Sequence, residues 1–165
     1  MKRSIFERLM GMDDASWKRH ENPVSGWTRV LILPTLALAL WSRVWLGWWS
    51  LLPIGALIVF TWLNPRLFPP PEDDKAWMTR GVLGERIWLA RKQLPIPAEH
   101  DRVDRMLLLV SAIGVAPFAF GLVYYDLPWV IVGLVLMMGG KLWFVDRMVW
   151  LYEITKPSGD TGAKS

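Results

Sequence analysis

Apolar positions in this chain fall into long unbroken blocks instead of the periodic stripes that face the core of a water-soluble protein. Residues 44–63 and residues 106–125 are each a run of 20 positions without a charge. A helix rises about 1.5 Å per residue, so about 20 apolar residues cover the ~30 Å hydrocarbon layer of a bilayer. Each block therefore predicts one transmembrane helix.

Two further apolar segments flank these blocks. The first has only 13 residues between Arg29 and Arg43, and it spans a bilayer only if both arginines extend to the interfaces, as long basic side chains do. The second continues past Lys141. Short connections within each pair predict an all-α polytopic membrane protein built from two helical hairpins. Its four spans are expected at about residues 27–42, 44–63, 106–125 and 127–149, within one domain of residues 1–155.

Lysine and arginine counts predict the side of the membrane that each loop occupies, because cytoplasmic flanks are rich in these residues. Six lie in residues 1–29, eight in residues 64–105 and four from Lys141 onward, whereas the two hairpin tips hold only Arg43. Both termini and the central segment are therefore expected in the cytoplasm. The pattern predicts a multi-pass protein of the cell (inner) membrane.

Composition narrows the chemistry that this chain can perform. The 12 tryptophans suit a membrane protein, since indole rings favour the two interfaces. The absence of cysteine excludes disulfides, thiolate metal sites and cysteine nucleophiles. The sequence has no Walker or Rossmann fingerprint and a net charge of only +4, so we expect no cofactor and no nucleic-acid partner.

The central segment, residues 64–105, is the largest part outside the predicted spans. After the stiff prolines at 69–71 it favours one or two short amphipathic helices, opened by Asp73 or Asp74 and lying in the inner headgroup layer. Basic side chains on the polar side are candidates for contact with anionic lipid headgroups. These residues are Arg80, Arg86, Arg91 and Lys92.

The two ends of the chain have different patterns. Residues 4–12, SIFERLMGM, place apolar side chains at helical spacing and predict another interfacial helix. Residues 156–165 are polar and rich in small side chains, which predicts a disordered tail.

Lys141, Asp146 and Arg147 interrupt the last apolar segment. Counted from Trp129 at the outer boundary, Lys141 lies about 18 Å along the helix. One hypothesis places Lys141 in the bundle interior or a wet crevice, on a ligand or ion path with Asp146 and Arg147. The other hypothesis has Lys141 reaching cytoplasmic water, with Asp146 and Arg147 at the helix exit.

The two histidines of the sequence, His20 and His100, each precede an odd-numbered predicted span. They could converge on a metal with Glu21, Glu99 and Asp101, because imidazole and carboxylate groups are metal ligands. Their spacing matches no established ligand motif, and such residues more often cap helices or form solvated turns.

Four stretches carry a resemblance to a known family: NPVSGWTR, NPRLFPPP, GVLGERIWL and GGKLWFVDRMVWLY. Across roughly residues 15–155 the chain resembles an uncharacterised family of small bacterial and haloarchaeal membrane proteins, catalogued only as a domain of unknown function. The resemblance implies a similar four-span membrane fold. It implies no activity and carries over no catalytic residue.

Three classes of function follow from these observations. The leading hypothesis is a non-enzymatic structural, assembly or partner-binding component, because no converging set of acids, bases or nucleophiles is recognisable. The second is a small transporter or channel with Lys141 facing a polar path. The third is a lipid-headgroup enzyme at the cytoplasmic face, which needs His20 or His100 to work with Glu99 or Asp101. Expected partners are the bilayer, its anionic headgroups, and a second copy of the chain or another membrane protein.

Overall fold

The computed structural model describes residues 14–93 and 95–156, and each regular element in those ranges is a helix. The helices are α1 (Asp14–His20), α2 (Pro23–Trp41), α3 (Arg43–Leu46), α4 (Leu51–Leu67), α5 (Trp77–Leu89), α6 (Ala98–Ile113), α7 (Val115–Tyr124) and α8 (Leu127–Thr155). A 3₁₀ turn, Gly47–Ser50, joins α3 to α4. The all-α prediction is confirmed for these residues. The predicted interfacial helix at residues 4–12 and the predicted tail after Lys156 lie outside the described residues.

Helices long and apolar enough to cross a membrane occur in three runs of the described residues: Pro23–Leu67, Ala98–Tyr124 and Leu127–Thr155. Little of this apolar surface is covered by protein, because only 6%, 22% and 28% of the most apolar windows of the three runs are buried. In water, so large an exposed apolar surface would be unfavourable. In a bilayer, lipid would cover it. The structure is thus compatible with a membrane protein.

The first of these runs reverses direction. The Ser25 hydroxyl donates to Asn64 Oδ1 at 2.7 Å, and Asn64 Nδ2 donates to Thr28 Oγ1 at 2.8 Å. A straight helix would separate positions 25 and 64 by roughly 58 Å at 1.5 Å per residue. The backbone turns between α2 and α4, where Gly47 has a φ of 55°, a left-handed value that glycine adopts without a steric penalty.

Helix starts follow capping chemistry more closely than they follow the apolar pattern. The Asn22 side chain accepts hydrogen bonds from two backbone N–H groups of the first turn of α2, at 2.9 and 3.3 Å, and Pro23 occupies the first helical position. Asp126 caps α8 in the same way. Helix α2 therefore starts before the predicted residue 27, and α8 continues to Thr155, beyond the predicted end at Val149.

Helix α5 begins at Trp77 with Ala76 in the cap position. The prediction that Asp73 or Asp74 opens this helix is wrong, because both carboxylates are engaged elsewhere. Asp73 accepts a hydrogen bond from the Lys75 backbone N–H at 3.0 Å. Asp74 accepts hydrogen bonds from two side chains at the end of α8, which hold its pKa at about 2.

Helix α8 is central, since α5, α6 and α7 all pack against it. Glycines permit the close approach. A Cβ atom at Gly84 of α5 would lie 1.9 Å from the Met148 carbonyl oxygen of α8, and one at Gly133 of α8 would lie 2.5 Å from Phe118 of α7. Helix α6 passes α8 at Gly140. Small residues thus set the distances between these helices, as they do in membrane bundles generally.

Candidate functional site

Lys141, the first charge in the last apolar run, lies opposite Glu85 of α5. Its Nζ atom donates to Glu85 Oε1 at 3.2 Å and lies 4.7 Å from the centre of the Phe144 ring. The Lys141 side chain is 47% exposed and the Glu85 side chain is 27% exposed. Lys141 therefore has a partner of opposite charge on another helix and also retains access to the surroundings.

Two more residues, His20 and Arg29, complete a group with this pair. We name His20, Arg29, Glu85 and Lys141 the first polar cluster. The Arg29 guanidinium contacts the His20 ring, and it also donates to the His20 carbonyl oxygen at 3.2 Å. Burial, followed by the positive charges of Arg29 and Lys141, lowers the pKa of His20 to about 3. His20 is therefore neutral near pH 7, and the cluster carries two cations and one carboxylate.

The second polar cluster consists of His100 and Asp104 of α6 and Arg147 of α8. The side chains of His100 and Asp104 are 1% and 0% exposed. Arg147 Nη2 donates to His100 Nδ1 at 2.5 Å. A guanidinium only donates, so Nδ1 is the accepting nitrogen and a neutral ring carries its proton on Nε2. That Nε2 lies 3.4 Å from Asp104 Oδ2 without forming a hydrogen bond to it, so the imidazole lies between a cation and a carboxylate.

Several buried polar atoms of the second polar cluster have no hydrogen-bond partner among the described residues. They are both carboxylate oxygens of Asp104, Nε2 of His100 and Nε of Arg147, with the indole nitrogen of neighbouring Trp88. Most buried polar atoms in folded proteins do have partners. Ionisable groups buried in apolar helices commonly mark functional sites of membrane proteins, which makes this cluster a candidate site beside the first.

The three charged residues predicted to form a path face different neighbours. Lys141 pairs with Glu85 of α5. Asp146 accepts a hydrogen bond at 3.2 Å from the indole nitrogen of Trp77, which also belongs to α5. Arg147 contacts His100 of α6. The structure therefore divides these residues between two helices.

The arginines predicted to contact lipid headgroups, two in α5 and one just after it, are each bound by a carboxylate of this chain. The pairs are Arg80–Glu153 at 2.5 Å, Arg86–Glu21 at 3.6 Å and Arg91–Asp101 at 3.1 Å. Lys92 is exposed just after the helix. Arg80 and Arg86 thus connect α5 to other elements of the fold, and Arg91 connects the turn after α5 to α6.

The two histidines belong to different clusters. His20 contacts Arg29, His100 contacts Arg147, and Asp101 is held by two arginines. Within the part of the chain that the structure describes, no group of three or more histidine or acidic side chains could hold a metal ion. The positive charge beside each histidine also opposes a cation there.

Sequence reasoning missed Asp104 and Glu85. Asp104 follows His100 by one helical turn and precedes Leu107, and this spacing places a polar pair on an apolar helix face, a signal that was available. Glu85 had no comparable signal, because its partner Lys141 is 56 residues away in the chain.

Comparison with known proteins identifies a family and no activity. A family model described as a family of unknown function, DUF6653, matches residues 3–165. No curated protein and no solved structure matches the chain. The matched region covers nearly the whole sequence, and the chain therefore belongs to DUF6653, a family of unknown function.

Proposed function

We propose that this protein is a non-enzymatic component of the cell (inner) membrane that acts through structure, assembly or partner binding. The observation that supports this proposal is the engagement of charged side chains between helices. The contacts are Lys141–Glu85, Arg80–Glu153 and Arg147–His100. Paired charges between helices fix how those helices are oriented against one another. On this proposal, the charges serve the architecture of the bundle.

The proposed topology has four spans in two hairpins, with both termini and the central segment in the cytoplasm. Helices α2 and α4 have 19 and 17 residues, within the ~17–25 residues that cross a bilayer. The two hairpin tips meet at one end of the molecule, where the Arg43 guanidinium carbon lies 4.5 Å from the centre of the Tyr125 ring. The lysine and arginine distribution assigns that end to the outside.

Single-cysteine variants test this topology cleanly, because the chain has no cysteine of its own. In intact cells, a membrane-impermeant maleimide should label Trp48→Cys and Tyr124→Cys. Lys75→Cys should be labelled only after the membrane is permeabilised. Labelling of Lys75→Cys in intact cells would reject the proposed orientation, and protection of Trp48→Cys would reject the first hairpin.

A transporter or channel is the second candidate, favoured by the 47% exposure of the Lys141 side chain. The same reagent distinguishes it from the leading proposal. A structural Lys141 predicts that Lys141→Cys reacts from the cytoplasmic face alone. Reaction of Lys141→Cys from both faces would indicate a polar path through the bundle.

Assembly or partner binding is tested by extracting the tagged chain together with its native bilayer. The expected result is a complex of fixed stoichiometry, containing a second copy or another membrane protein, that is also captured by cross-linking in cells. A monomer that carries ions or solutes across reconstituted vesicles would contradict the proposal.

A further inference from the structure

We propose that the exposed side of α6 binds one anionic phospholipid of the inner leaflet, an inference that rests on the membrane placement proposed above. A groove of about 380 Å³ runs along this side of the helix. Its lining residues are Ala98, Asp101, Arg102, Arg105, Met106 and Leu109. Basic side chains thus occupy one end of the groove and apolar side chains the other.

Charge in this groove favours an anion. Arg102 is exposed and has no hydrogen bond or ion pair with the residues that the structure describes. Arg105 pairs with Asp101, yet its side chain remains 66% exposed. Asp101 is also bound by Arg91 at 3.1 Å. The groove therefore holds two guanidinium groups and one carboxylate, which Arg91 also neutralises from outside the groove, and the excess positive charge suits a phosphate.

Apolar side chains continue from the arginines toward the bilayer core. Met106, Leu109 and Ile113 are 59%, 60% and 55% exposed, and their spacing places them in one stripe along the helix. From Arg105 to Ile113 the helix rises about 12 Å, close to the ~15 Å hydrocarbon depth of one leaflet. An acyl chain lies along this stripe while the phosphate contacts the two arginines of the groove.

On this proposal headgroup recognition lies on α6, because the arginines in and after α5 are already bound by carboxylates of the chain. An anion at Arg80 or Arg91 must compete with a carboxylate of the protein at 2.5 or 3.1 Å. Arg102 has no such competitor among the described residues. The membrane surface around Arg102 is itself rich in anionic lipid on the cytoplasmic side.

Native mass spectrometry of the full chain tests the groove, with equal amounts of phosphatidylglycerol and phosphatidylcholine in the micelles. We expect the wild type to retain one phosphatidylglycerol molecule in preference to phosphatidylcholine. Each basic side chain near an anionic surface contributes about fivefold, so Arg102→Gln with Arg105→Gln should reduce the preference roughly 30-fold. The matched control, Lys18→Gln with Lys75→Gln, removes the same charge from exposed positions outside the groove and should keep the preference.

A second pair of variants separates a lipid from free phosphate. Met106→Ala with Leu109→Ala shortens the apolar stripe and should weaken retention of the lipid several-fold, with the arginines intact. If inorganic phosphate displaces the lipid and the stripe variant behaves as the wild type, the site binds phosphate and the lipid proposal is overturned. Equal retention of both lipids by the wild type would overturn it as well.

The single variant Arg102→Gln keeps the test decisive, since Arg102 has no described partner whose loss could impair folding. It should lower the preference about fivefold, and an unchanged preference would count against the groove. A chain that shows the proposed cysteine labelling pattern but no lipid preference refutes the groove alone. A chain that fails the labelling test refutes the membrane placement.

Discussion

The Nζ atom of Lys141 lies 3.2 Å from Oε1 of Glu85. This contact joins Lys141 of α8 to the middle of α5. Glu85 directly follows Gly84, where α5 approaches α8 closely at Met148. A lysine in an apolar helix is stabilised by a carboxylate on a neighbouring helix, because the pair leaves less net charge in a low-dielectric environment. This pairing explains how the long apolar helix α8 accommodates the charge of Lys141.

Lys141→Met should therefore lower stability modestly, by about 1 kcal/mol, because the partly exposed Glu85 can be rehydrated. Glu85→Gln should have a similar effect. The double variant should lose less than the sum of the two, since either change already breaks the pair. Unfolding of the four proteins in a mild detergent measures this coupling. Strictly additive losses would show that the two side chains do not stabilise each other.

Arg147→Met should be more damaging, because it removes the hydrogen bond to the buried His100 and the positive charge that acts on the buried Asp104 carboxylate beside that ring. The loss of a hydrogen bond that involves a charged group costs about 1.5–3 kcal/mol. Adding Asp104→Asn to the same chain should recover part of that loss by removing the orphaned charge. The exposed Lys92→Met is the control and should stay within about 0.5 kcal/mol of the wild type. A double variant less stable than Arg147→Met alone would contradict this account.

Gly84→Ala should push α5 away from α8, since the new Cβ would lie 1.9 Å from the Met148 carbonyl oxygen. Overpacking of this kind costs about 1–3 kcal/mol, or more against backbone. Gly139→Ala is the matched control, because a Cβ there meets nothing within 4 Å. That change should be neutral or stabilise the helix by up to ~1 kcal/mol. Equal effects of the two substitutions would argue against the close α5–α8 contact.

Stability should decrease as the pH falls from about 6.5 toward 3, because burial, Arg29 and Lys141 lower the pKa of His20 to about 3. In this range the unfolded chain binds a proton at His20 and the folded chain does not, so protonation favours unfolding. Above pH 6.5 the effect is absent. His20→Gln should flatten this part of the profile when thermal unfolding is followed between pH 7 and pH 4. An unchanged slope in His20→Gln would assign the pH dependence to other groups.

The apolar pattern of the sequence was sufficient to predict long membrane-compatible helices and an all-α fold for the described residues. Local residues also mark the boundary between α7 and α8, where Tyr125 follows α7 and Asp126 caps α8. These features depend on local properties, namely the length of apolar runs and the capping and turn residues between them. Each can therefore be read within about 20 neighbouring positions.

Tertiary structure alone decided which charges meet. Glu85 and Lys141 are 56 residues apart, and His100 meets Arg147 only because α6 and α8 pack against each other. The rotation of one helix against another depends on glycine contacts and side-chain packing that no local window contains. For the same reason the arginines in and just after α5, which an isolated amphipathic helix would expose, are bound by carboxylates from elsewhere in the chain.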